Sequence, residues 1–189
     1  MSLTIKLNRA IQLFRTNRYS EAYRIFEDIY KEQPIPSVLF MARILNSGKI
    51  NGGNRDQDKT IELLKPFKHS NGHAAFLLFD LYHRKGDCEQ AMACIYSSAK
   101  QKFAPAYYRL GQIFYFGYCV EKSLEEAVAN YKLGADEGHI WCKIYYSKNL
   151  LLGRLGLKFV PVGIFELILS LISFVSEMRN DLYSDNFID

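Results

Sequence analysis

The chain has 189 residues, of which 49% are apolar, with thirteen Tyr and thirteen Phe. This size and composition fit one or two ordinary domains or a single solenoid with a continuous core. The net charge is only +4, with no run of clustered Lys and Arg and no aromatic RNA-stacking motif, which argues against a nucleic-acid binder.

Small and apolar residues recur at three- and four-residue steps along most of the chain, the spacing of packed helices. Leu7, Ala10 and Phe14, then Asn17, Ala22, Phe26 and Tyr30, predict a first helix pair in weak form. Ser37, Met41 and Gly48 predict the first helix of a second pair, and Ile61, Leu64 and Phe67 its second helix. Ala75, Phe79 and Gly86, followed by Ala91, Ile95 and Ala99, give a third. The fourth is the clearest: Ala106, Leu110, Gly111, Phe114 and Gly117, then Leu124, Ala127, Tyr131, Ala135 and Gly138. Cys142, Tyr146 and Gly153, then Gly163, Leu167 and Leu171, give the fifth.

Four of these segments, Ser37–Gly48, Ala75–Gly86, Ala106–Gly117 and Cys142–Gly153, share one template. A small residue is followed by an apolar residue four positions later and by Gly eleven positions later. Gly117 and Gly138 are expected to end their helices. Gly111, Ala127 and Ala135 are expected to let helix backbones approach closely. The uneven period places extra residues in the inter-helix loops 49–55 and 118–123, where repeats tolerate insertion. Pro34, Pro36, Pro66 and Pro105 fall near predicted helix ends. Cys142 takes the small-residue slot and Cys94 lies within a helix, so both read as small buried apolar residues.

Tyr107-Tyr108-Arg109-Leu110-Gly111-Gln112-Ile113-Phe114-Tyr115-Phe116-Gly117, then Glu125-Glu126-Ala127, Tyr131 and Gly134-Ala135-Asp136-Glu137-Gly138, resembles a Sel-one-like repeat. That family is a branch of the tetratricopeptide superfamily. Tyr118-Cys119 replaces part of the family's glycine loop, and Asp80 stands where the next unit has Gly111. The resemblance covers roughly residues 3–155 and is strongest in the fourth unit. It implies an all-α fold: an α-solenoid of about five antiparallel helix pairs in a right-handed superhelix, residues 1–158, ending in an apolar C-terminal helix. It also implies a scaffold or adaptor, of bacterial origin, with no catalytic residues to transfer.

In such repeats, the resemblance implies, first helices line the concave face. The positions not spent on packing then yield a candidate partner-binding set: Arg15, Arg43, Arg84, Lys85, Tyr108, Gln112, Tyr115, Phe116 and Lys148. Leu39, Asn46, Leu77 and Leu81 face the same way. No acid occurs among these positions, so the expected partner is an extended protein or peptide segment carrying carboxylates, paired by Arg. The charge distribution agrees: residues 1–158 carry 23 Lys and Arg against 15 acids, whereas 159–189 carry one Arg and five acids. Residues 181–189 read as an acidic tail.

Residues 159–175 form the most apolar stretch, 17 positions with Pro161 near the start and Glu166 inside. A membrane span needs about 20 apolar residues. Three readings compete: the buried second helix of the last repeat or a hydrophobic cap (159–180), an exposed face for a second copy of the chain, and a membrane anchor. Gly163, Leu167 and Leu171 keep the repeat frame and favour the first. Solenoids end in caps with a polar outer face, and this helix lacks one. Leu182, Tyr183, Phe187 and Ile188 are candidates to fold over it.

No Gly-x-Ser-x-Gly, His-Glu-x-x-His, Cys-x-x-Cys or phosphate-cradling Gly loop occurs. His69 and His73 are four apart, but Asn71-Gly72 between them is expected to break the helix. Glu125-Glu126 reads as the acidic first turn of a helix, where the dipole favours carboxylates. The sequence therefore predicts no enzyme, no metal and no cofactor. The N-terminus leads straight into an amphipathic helix without a signal-peptide core, so a cytoplasmic chain is expected.

Overall fold

In a computed structural model, which describes residues 2–50 and 52–183, the chain forms two compact units, Met1–Gln101 and Lys102–Asp189. Ten α-helices and no strand occur among the described residues. The architecture is all-α helical repeat: consecutive helices pair into five hairpins.

The first unit holds three hairpins. Helices α1 (Leu3–Arg15) and α2 (Tyr19–Tyr30) form the first, α3 (Pro34–Ser47) and α4 (Gln57–Leu64) the second, α5 (Gly72–Arg84) and α6 (Cys88–Lys100) the third. A single 3-10 turn, Lys65–Phe67, extends α4. Each helix packs on the next along the chain. Ala10, Leu13, Ala22, Phe26, Met41 and Leu45 build one buried cluster joining α1, α2 and α3. Phe26 stacks on Phe40 with ring centroids 4.7 Å apart, and Phe14 meets Phe40 edge-on at 5.3 Å. Aromatics thus fill the space between helices, adding about 0.5–1.5 kcal/mol per ring pair beyond simple burial.

The second unit holds two hairpins, α7 (Ala104–Phe116) with α8 (Leu124–Asp136) and α9 (Ile140–Leu151) with α10 (Val160–Tyr183). Gly117 caps α7 in the left-handed conformation at φ +79°, the helix end expected from sequence. Helix α8 starts with Glu125 and Glu126 in its first turn, and the Ser123 hydroxyl accepts from Glu126 N at 3.2 Å. The inter-helix segments 48–56 and 117–123 hold the extra residues anticipated in those loops.

The repeat template has a steric cause. Ser37, Ala75, Ala106 and Cys142 are all fully buried. The Ser37 hydroxyl has no hydrogen-bond partner among the described residues, so size rather than polarity fits that slot. A Cβ on Gly111 would lie 2.3 Å from the Tyr131 ring, which fixes the α7–α8 approach. On α8 a close approach occurs at Gly134, where a Cβ would meet Cys142 Sγ at 2.3 Å. Its neighbour Ala135, the residue expected there, is only half-buried.

Helix α10 departs most from expectation. It pairs with α9 as the second helix of the last hairpin, yet of the predicted frame only Gly163 is buried, Leu167 is half-buried and Leu171 is exposed, and only 11% of the apolar stretch is buried. The burial expected of it is not found. Gly163 and Ser170 are buried against the unit, and Phe174 meets Trp141 at 5.5 Å between centroids. Large apolar residues elsewhere on the helix, such as Phe165, Ile168 and Ile172, are exposed, because only one stripe touches α9. Phe187 and Ile188, with most of the acidic tail, lie outside the described residues, as do the side chains of Leu182 and Tyr183.

Candidate functional site

In the first unit, α3 and α5 border a cleft of about 30 Å³. Arg43 and Asn46 face it from one turn of α3. Leu77, Asp80, Leu81 and Arg84 face it from α5, at the spacing that puts residues on one helix face. Thr60 of α4 completes the lining, its hydroxyl donating to the Asp56 carbonyl at 2.6 Å. Arg84 Nη1 donates to Asn46 Oδ1 at 3.4 Å across the cleft. Small-molecule sites occupy roughly 300–1,000 Å³, so this cleft suits one side-chain group, such as a carboxylate.

Local sequence explains why α3 and α5 stand where they do. The Asn71 side chain caps α5 by accepting from Ala74 N at 2.8 Å, which also separates His69 from His73. The Ser98 hydroxyl of α6 donates to the Gly72 carbonyl at 2.7 Å and pins the start of α5. The Asp56 carboxylate caps α4 by accepting from Lys59 N at 3.1 Å.

The other residues anticipated from sequence are dispersed. Arg15 is exposed at the end of α1. Lys85 forms an ion pair with Asp58 of α4, so its charge is partly offset. In the second unit, Tyr108 turns inward: it contacts the rings of His139, Tyr145 and Tyr131 at 5.5, 5.6 and 6.2 Å. Gln112 Nε2 donates to its hydroxyl at 2.9 Å. Tyr115 lies between two cations, Arg154 at 5.8 Å and Lys122 at 5.9 Å from its ring centre. Phe116 is exposed and Lys148 is exposed on α9.

Burial sets the titration of the inward cluster. It pushes the Tyr108 hydroxyl up to about 12, helped by the neighbouring Tyr145 hydroxyl, and the Cys142 thiol up to about 12. Burial also lowers His139, whose Nδ1 accepts from Cys142 N at 3.3 Å and caps α9. A thiol held so far above neutral pH is a packing group, not a nucleophile.

Asp80 was not among the expected groove residues. Its signal was present, since it replaces Gly111 of the next unit with an acid on the inner face of a first helix. No group of three His, Cys, Asp or Glu side chains able to hold a metal occurs among the described residues. Helix α10 presents a second surface. With the residues just before it, it is long and apolar enough to cross a membrane by length and composition.

The crystal structure of a Sel1 repeat protein from Oxalobacter formigenes is similar to this chain with a TM-score of 0.66 at 18% identity, over 87% of this chain and 69% of that one. The crystal structure of MamA protein is similar with a TM-score of 0.52 at 15% identity, over 99% of this chain and 97% of that one. No family model matches the sequence, and no curated protein matches it. These likenesses show the fold, a run of helical hairpins like that of the Sel1 repeat structure.

Proposed function

We propose that this chain is a non-catalytic scaffold that holds an extended, acidic peptide segment of a partner on its first helices, with a carboxylate of the partner in the α3–α5 cleft. One observation carries the reading: Arg43 and Arg84, from first helices of successive repeats, line one cleft of carboxylate size together with Asn46. Arg pairs bidentately with carboxylate and holds its charge at any physiological pH.

The test compares Glu-rich and Lys-rich labelled peptides of equal length by fluorescence anisotropy. The Glu-rich peptide binds the chain in preference, and Arg43→Glu with Arg84→Glu weakens it about ten-fold or more, the effect of losing a hydrogen bond to a charged group. Arg43→Gln with Arg84→Gln, which adds no like charge beside Asp80, is expected to weaken binding with far-UV helix content retained. Equal affinity for the two peptides, or no loss in the variant, contradicts the reading.

The open apolar surface of α10 supports a second reading, in which the chain joins an assembly through this helix. A membrane tether is the competing use of the same surface.

A further inference from the structure

We propose that α10 pairs with the α10 of a second copy of this chain along a heptad seam formed by Ile164, Ile168, Leu171, Val175 and Met178. This rests on the assembly reading of α10 and is independent of the α3–α5 cleft. The five residues follow one another at steps of four, three, four and three, the repeat of a helix that packs on another helix along one seam. All five are between 47% and 63% exposed.

The choice of residues fits a two-stranded pairing. Ile168 and Val175 take the a positions and Ile164, Leu171 and Met178 the d positions; the β-branched a residues with Leu171 at d are the part of the seam that favours two strands. Glu166, the acid within the apolar stretch, falls at f, on the side facing away from the seam. The stripe already in use lies off the seam: Gly163 meets α9 so closely that a Cβ would lie 2.5 Å from Leu151 N, and Phe174 touches Trp141. The monomer therefore fills one edge of α10 and leaves the seam open. The five seam side chains, each about half exposed, offer on the order of 500 Å² per copy, about 1,000 Å² for the pair, which is the low end for a specific interface.

A bilayer fits this helix poorly. Helix α9 runs beside it, with Leu150 and Leu151 at Gly163 and Trp141 at Phe174. Those contacts cover roughly 16 Å of α10 at 1.5 Å per residue. A spanning α10 would carry α9, with Lys143 and Lys148, into the hydrocarbon, which costs several kcal/mol per charge. Surface-lying helices favour basic residues along their polar face, whereas the charges within residues 159–178 are Glu166 and Glu177, with Lys158 and Arg179 only at the two ends.

Light scattering of the full chain in detergent-free buffer at tens of micromolar tests the pairing. The expected mass is twice the 21.9 kDa of one chain. Ile168→Glu with Val175→Glu is expected to halve it with unchanged far-UV helix content. Leu169→Glu, at an exposed b position off the seam, is expected to leave the dimer intact. Should the glutamates reduce helix content, Ile168→Asn with Val175→Asn replaces them in the same measurement. A wild-type monomer that stays in the aqueous phase overturns the self-pairing but leaves assembly with another protein standing. Equal dissociation by Leu169→Glu overturns the seam. Co-flotation of the wild type with phosphatidylcholine–phosphatidylglycerol vesicles overturns both the pairing and the assembly reading of α10.

Discussion

Helices α2 and α10 are both second helices of a hairpin, and they solve opposite problems. In α2, Ala22, Tyr23, Phe26 and Ile29 are buried on one face while Glu21, Arg24, Glu27 and Asp28 meet water on the other. In α10, Gly163 and Ser170 are buried, and large apolar residues such as Phe165, Ile168 and Ile172 are exposed. The same register therefore serves two ends. An amphipathic second helix completes a core, and one that is apolar all round leaves a surface to be covered. The hairpin frame fixes where a helix goes, and its polar face decides whether it can end there.

Mutations in the two helices sharpen that contrast. Phe26→Ala in α2 is expected to cost about 3–5 kcal/mol, because a fully buried ring leaves a cavity. The Ile168→Glu and Val175→Glu pair in α10 is expected to leave the unfolding midpoint near that of wild-type chain diluted to its monomer. Chemical denaturation followed by circular dichroism checks both, and a similar loss in the two would erase the distinction. Gly163→Val comes next, since its Cβ would crowd Leu150 and Leu151 of α9. Overpacking of that kind costs about 1–3 kcal/mol, visible as a lower unfolding midpoint.

The smallest effect is a pH dependence confined to the second unit. Burial lowers the His139 pKa below its ordinary value of 6.5. The unfolded state then binds the proton more readily, so the stability His139 contributes is complete above the ordinary histidine range and is lost as pH falls through its lowered value. Protonation at Nδ1 would also remove the acceptor that caps α9. Thermal melts between pH 7 and pH 5 should show the decline, and His139→Asn, which keeps a cap without titrating, should flatten it. An identical slope in the variant would assign the effect elsewhere.

Much of the fold was legible because its repeat is steric. Small residues at Ser37, Ala75, Ala106 and Cys142 are set by helix approach, and their spacing survives where everything else varies. Gly117 ended its helix where the pattern put it. Other features depended on facts that linear spacing does not hold. Tyr108 sits two positions after a small slot, where an aromatic can point out or fold in. The rings of Tyr145 and His139, from a different hairpin, draw it inward. Lys85 met its carboxylate partner, Asp58, 27 residues away in sequence. The pairing of α10 with α9 was readable from Gly163, but Leu171, expected in the same frame, is exposed, and the openness of the helix was not legible. Hydrophobicity records that a surface wants covering, and periodicity cannot say whether the same chain provides the cover.

Arginine side-chain NMR during titration with a Glu-rich peptide tests the functional account most directly. The account predicts that the Nε–Hε signals of Arg43 and Arg84 shift together and saturate with the binding curve, while that of Arg18, already paired with Glu21, stays in place. Saturable peptide binding that leaves Arg43 and Arg84 unmoved would contradict it.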